Sequence, residues 1–195
     1  APKPDWIRGF FETQSNFWMD NNLGPNQVPM FKRFLRESGL LENNEITKTA
    51  MIIIDHIGWE NDNAWGIILA NFVYNAQCEW YIRNLEIGRV FKRDVVSDML
   101  VAIEISKNDA TSIINAFKRF CELPFGTKLN FGTVTENGRQ IDTLMREKST
   151  LKDSRVVLYS LYKFLRLILY QSQVLQMQLF WLSLKYTVLL MRTSF

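Results

Sequence analysis

The chain of 195 residues carries 23 basic and 20 acidic side chains and one histidine, a net charge of +3, and 47% of it is hydrophobic. Such a composition excludes general disorder, and it excludes a chain that holds nucleic acid through bulk charge; any basic footprint has to be local. The length suffices for one sizeable core or for two small ones sharing an interface.

The N-terminus, "APKPDWIRGFF", has no initiating Met, no basic-then-apolar leader and no targeting motif. The reading is a cytoplasmic chain that is a fragment or the continuation of a longer product. Asp5 to Met19 is aromatic-rich and partly helical, until "DNNLGPNQVP" breaks it. Met30 to Leu41 reads as a short helix with Gly39 placed for its C-terminal cap, and Thr47 to Ile57 as another, closed by Gly58. The run Met51 to Ile54 in it is apolar on all sides and is expected to be buried. These elements make a helical N-terminal segment, residues 1–61.

From Ala64 to Leu85, residues Trp65, Ile68, Leu69, Phe72, Val73, Ala76 and Trp80 recur at helical spacing, predicting one long helix capped by Asp62 or Asn63. "EIGRVF" follows as a turn or short strand. Asp94 to Ile103 then places Val95, Val96, Met99, Leu100 and Ile103 on one helical face. Ser106 caps a second helix over about Lys107 to Cys121, with Ala110, Ile113, Ile114, Phe117 and Cys121 facing inward. Directly after it, "LNFGTVTENGRQIDTLMREK" carries Asn137-Gly138 between β-prone runs, the signature of a tight hairpin. Helix, short turn, helix and hairpin, with another helix just upstream, is the order of a winged helix-turn-helix module, assigned to residues 62–150. The fold class is mainly α, with this hairpin as its one β element.

Catalytic chemistry is sparse. His56 has no second His or nearby Cys with which to found a metal site. Cys78 and Cys121 lack the neighbouring His or CxxC spacing that favours a thiolate, and read as two reduced, buried thiols. No phosphate-loop, zinc-protease or nucleophile-elbow motif is present, and "FGTKLNFG" lacks the helix N-terminus that would point amides at an anion. No cofactor and no catalytic residue is therefore assigned.

The polar stripe of the 107–121 helix is the functional candidate. A helix that reads DNA needs side chains able to reach base edges, and a wing needs a cation for phosphate. Lys107, Thr111, Ser112, Asn115, Lys118 and Arg119 meet the first need, and Arg139 at the hairpin tip the second. From Lys107 to Arg155 nine basic residues stand against six acidic ones, a local excess of three positive charges. The same face serves equally as a solvated surface or a protein-docking one.

At "DWIRGFFETQSNFW", "NAWGIILANFVYNAQCEWYIRNL", "LPFGTKLNFGTV" and "SRVVLYSLYKF" the chain resembles the region that follows the catalytic domain in bacterial phosphoadenosine phosphosulfate reductase-like proteins. The likeness spans roughly Asp5 to Phe164. That family's catalytic domain is an α/β nucleotide-binding fold with an SGGxDS loop, which this sequence does not contain. The resemblance implies a non-catalytic accessory region of a sulfur-transfer system, binding DNA or docking a catalytic domain of that kind. Its rival is an enzyme fragment that completes a sulfur-transfer site only when joined to a catalytic nucleotide-binding domain.

Residues 151–195 form the last segment. Asp153 is placed to cap an apolar helix beginning "SRVVLYSLYKF", and from Ser154 to Phe195 there is no acidic residue, Gly or Pro. Gln171, Gln173, Gln176, Gln178, Ser183 and Lys185 interrupt the apolar run, so packing on the domain or a partner is expected rather than a membrane span. The stretch 167–195 departs from the resemblance and is expected to be an atypical tail.

Overall fold

A computed structural model describes residues 2–170. The expectation for the glutamine-interrupted part of the tail falls on residues 171–195, outside the described residues. The chain is mainly helical, with two small antiparallel sheets.

Helix α1, Pro4–Thr13, starts on a proline whose missing N–H no helix needs at that position, and it buries Ile7, Phe10 and Phe11. A 3₁₀ turn, Gln14–Trp18, adds Phe17. Helix α2, Gln27–Glu37, buries Phe31, Phe34 and Leu35 and closes at Gly39, whose φ of +71° is that of the expected cap. Strands β1, Leu41–Glu42, and β2, Glu45–Ile46, then form a small hairpin across Asn43 and Asn44, both at positive φ. The hairpin after Cys121 is therefore not alone: "ENNE" is itself a turn signal, since Asn tolerates the left-handed conformation better than most residues.

Helix α3, Lys48–Ile52, is capped by the Thr47 hydroxyl and runs into a wider π turn, Ile53–Ile57. The expectation that Met51 to Ile54 is buried holds for Ile53 alone at full strength; Met51 and Ile52 are about half exposed, at 52% and 50%. A short helix on the molecular surface can bury one side only, and here that side is Ala50 and Ile53.

The predicted 64–85 helix is two helices. Helix α4, Asp62–Phe72, is capped by Asn61, one residue before the expected cap, and it is the central rod of the fold, burying Ala64, Trp65, Gly66, Ile68, Ala70, Asn71 and Phe72. Helix α5, Ala76–Asn84, restarts at Asn75, whose side-chain oxygen accepts from the backbone N–H groups of Gln77 and Cys78. A cap of this kind gives those amides a partner that an unbroken helix would not need.

Strand β3, Val90–Lys92, leads straight into α6, Arg93–Val101, and a turn with Glu104 at φ +66° leads to α7, Lys107–Glu122. Ser106 caps α7 as expected: its oxygen accepts from the Asp109 N–H while its hydroxyl donates to the Asp109 carboxylate. The buried side of α7 is Ala110, Ile114, Phe117 and Phe120, so Phe120 joins the core while Ile113 and Cys121 are only half-buried. One helical turn, α8, Pro124–Thr127, follows at once. A Cβ on Gly126 would lie 2.0 Å from the Cys121 carbonyl oxygen, so only glycine lets the chain double back this tightly.

Strands β4, Gly132–Asn137, and β5, Gln140–Arg146, form the expected hairpin. Its tip lies one residue later than the Asn137-Gly138 reading. Asn137 pairs with Gln140, so Gly138 and Arg139 are the two turn residues, and only Gly138, at φ +65°, needs the left-handed region. Strand β3 adds to the far side of β5, giving the order β3-β5-β4. A Cβ on Gly132 would fall 2.6 Å from the Met145 oxygen and 2.8 Å from the Phe117 ring, which explains the second glycine of "FGTKLNFG" by packing rather than by phosphate.

A chain of ring contacts ties these parts together. Phe31 touches Trp6, Phe10, Phe17, Trp18 and Phe34; Phe34 meets Phe72 and Phe125; and Phe120 links both to Phe131 at the root of the hairpin. Each edge-to-face or offset pair adds about 0.5–1.5 kcal/mol beyond its area. Finally, helical backbone from residue 154 to 170, here α9, is capped by Asp153, which accepts from the Arg155 N–H and the Asn63 side chain. The Arg155 guanidinium holds the Asp153 carboxyl well below the usual carboxylate range. Val156 is buried, and the Tyr159 hydroxyl donates to Asn71, whose amide donates to the Ser38 carbonyl.

Candidate nucleic-acid interface

The exposed side of α7 is set by the apolar side: with Ala110, Ile114 and Phe117 fixed in the core, Lys107, Asn108, Ser112, Asn115 and Arg119 are left in solvent, with Thr111 half-buried. Lys107, Thr111, Asn115 and Arg119 follow one another at four-residue spacing and form a single row along the helix. Six of the seven sequence-predicted residues share this helix, and Arg139 stands apart on the exposed hairpin tip.

The hydrogen bonds refine what each can offer. The Thr111 hydroxyl donates to the Lys107 carbonyl at 3.0 Å and the Ser112 hydroxyl to the Asn108 carbonyl at 3.1 Å. Their protons are spent on their own helix, which leaves them as acceptors, suited to an exocyclic amine of a base. Asn115 keeps its donor and acceptor pair. Arg119 makes no side-chain hydrogen bond or ion pair among the described residues, and neither does Arg139.

Lys118 is the exception. Its ammonium donates to Glu136 of β4 at 2.7 Å and lies 3.7 Å from Glu122. The Glu136 bond raises its pKa further, so the charge is kept but is matched by two carboxylates. Lys118 fastens α7 to the hairpin whose turn carries Arg139. The role of Glu136 is not readable from spacing, because the pair joins residues 18 apart on different elements.

Burial pushes the Cys78 and Cys121 thiols up to about 12, so both stay protonated at neutral pH, and both are free. Burial also raises the Tyr81 hydroxyl, which donates to the Ile113 carbonyl at 2.6 Å. His56 is exposed on the π turn. Among the described residues no group of three His, Cys, Asp or Glu side chains is placed to hold a metal ion, and no helix is long and apolar enough to cross a membrane. Comparison with protein-family models, with curated proteins and with solved structures finds no match.

Proposed function

We propose that residues 62–150 form a winged helix-turn-helix module that binds double-stranded DNA, as a non-catalytic accessory region of a phosphoadenosine phosphosulfate reductase-like sulfur-transfer system. The carrying observation is the path β3-α6-α7-α8-β4-β5 with sheet order β3-β5-β4, in which the strand before the helix pair closes onto the hairpin after it. That path favours the module because it leaves α7 in front of the sheet with its polar side free. In this reading α7 enters the major groove, Asn115, Thr111 and Ser112 meet base edges, and Arg119 and Arg139 contact phosphate. The link to sulfur transfer rests on the sequence resemblance alone.

The charge of α7 sets the expected strength. Lys107, Lys118 and Arg119 face Asp109 and Glu122 on the same helix, so binding is weak, and with Arg119 and Arg139 as the phosphate contacts its salt dependence is shallow. Fluorescence anisotropy on a labelled duplex across a salt series tests this. Replacing Arg119 and Arg139 with Ala should flatten the slope of log affinity against log salt by about 0.9 for each phosphate no longer neutralised. Glu136→Gln should strengthen binding, by releasing Lys118 toward the duplex. Absence of binding by the unmodified protein at low salt would defeat the DNA reading and leave docking of a catalytic domain in its place.

A further inference from the structure

A cavity of about 540 Å³ lies between the N-terminal helices and the α5–α7 face, away from the polar row of α7. Its floor is Phe34 and Phe120, and the Trp6 and Trp80 indoles line it as well. Ile103 and Ile105, in the turn between α6 and α7, also line it. The volume falls in the range of small-molecule sites, and a mostly apolar lining with a few polar groups is what such sites share.

The polar groups narrow the occupant. The Gln77 amide donates to the Tyr81 hydroxyl at 2.6 Å and toward the Ile113 carbonyl at 3.4 Å, so its oxygen is left as an acceptor without a partner among the described residues. Asn75 is the reverse case: its oxygen caps α5, and its NH₂ group is left as a donor. The charged lining residues, Arg33 and Glu37, pair with each other at 2.8 Å and present no net charge to a ligand. Indole walls favour a flat aromatic body stacked or edge-on against them.

We propose that this cavity is a binding site for a neutral, planar aromatic molecule of two or three rings that carries a hydrogen-bond donor and an acceptor. The proposal is independent of the DNA reading, since none of the row residues on α7 lines the cavity.

The test uses N-phenyl-1-naphthylamine, a neutral three-ring aromatic amine whose emission rises in apolar surroundings, titrated into the full chain. Expected is saturable binding of one dye per chain. Ala116→Phe, which fills the cavity from the half-buried wall of α7, should weaken it at least ten-fold with the circular dichroism unchanged. Ile103→Trp is the second blocker; Ile103 is 54% exposed, so this variant should fold even where the first does not. Leu161→Gln, on the exposed apolar side of α9, should leave binding as it was. Non-saturable uptake, or a dye affinity that neither blocker changes while Leu161→Gln lowers it, would overturn the proposal and assign the dye to α9.

Discussion

Helices α7 and α9 carry comparable apolar patterns and meet opposite fates. In α7 the apolar side is consumed: Ala110, Ile114, Phe117 and Phe120 are all buried, and what remains outside is polar. In α9 only Val156 is buried, while Val157, Leu158, Leu161, Tyr162, Phe164 and Leu165 stay exposed, Leu158 at 66%. Periodicity says which side of a helix can be buried and nothing about what arrives to bury it. The hairpin and α8 arrive for α7; among the described residues only the seam against α4 arrives for α9.

The sharpest way to break the comparison is to truncate one residue on each helix. Phe120 sits between Phe72, Phe125 and Phe131, and Phe120→Ala should cost about 3–5 kcal/mol in urea unfolding. Leu158→Ala should cost under ~0.5 kcal/mol. Equal costs would mean that the α9 face is covered in solution.

The tight exit of α7 gives the next effect. Gly126→Ala forces a Cβ into the Cys121 carbonyl and should destabilise by about 1–3 kcal/mol, whereas Ala in an ordinary helical turn would be neutral or better. An unchanged urea midpoint would show that α8 can move away from α7 at no cost.

Alkaline pH probes the burial of two thiols, on α5 and α7. Folding raises the Cys78 and Cys121 thiols from about 9 to about 12, so between these values the unfolded chain has lost protons that the folded chain keeps. Stability is therefore full below pH 9 and falls as pH climbs toward 12, by up to about 1.4 kcal/mol per pH unit for each thiol. Urea midpoints at pH 8 and pH 10 check this, and Cys78→Ala should reduce the difference between them.

A smaller effect is expected at the hairpin tip, near the Lys118–Glu136 pair. Gly138→Val places a β-branched residue at φ +65° and should cost about 1 kcal/mol, read as a lower melting temperature. A melting temperature that does not move would mean the turn can adopt another form.

Legibility follows locality. Ser106, Gly39 and the 132–146 hairpin are readable because a cap or turn is decided by residues within a few positions of itself. The turn reads one residue early because Asn137-Gly138 and Gly138-Arg139 both satisfy a glycine-containing tight turn, and the pairing register chooses between them. The burial of Phe120 rather than Ile113 depends on α8 and Phe125 folding under α7, which no helical wheel contains. For the candidate interface, the row on α7 is readable from its pattern, while the Lys118–Glu136 pair and the aromatic cavity are products of tertiary placement.

Asn75 shows how far one amide can reach. A single helix over 64–85 would run straight for about 33 Å at 1.5 Å per residue. By interrupting the helix at its middle, Asn75 instead brings Gln77 and Trp80 to face α2, and a cleft stands where a rod would have passed. The start of a separate nine-residue helix, Ala76–Asn84, is thus marked by a side chain that the apolar repeat never registers.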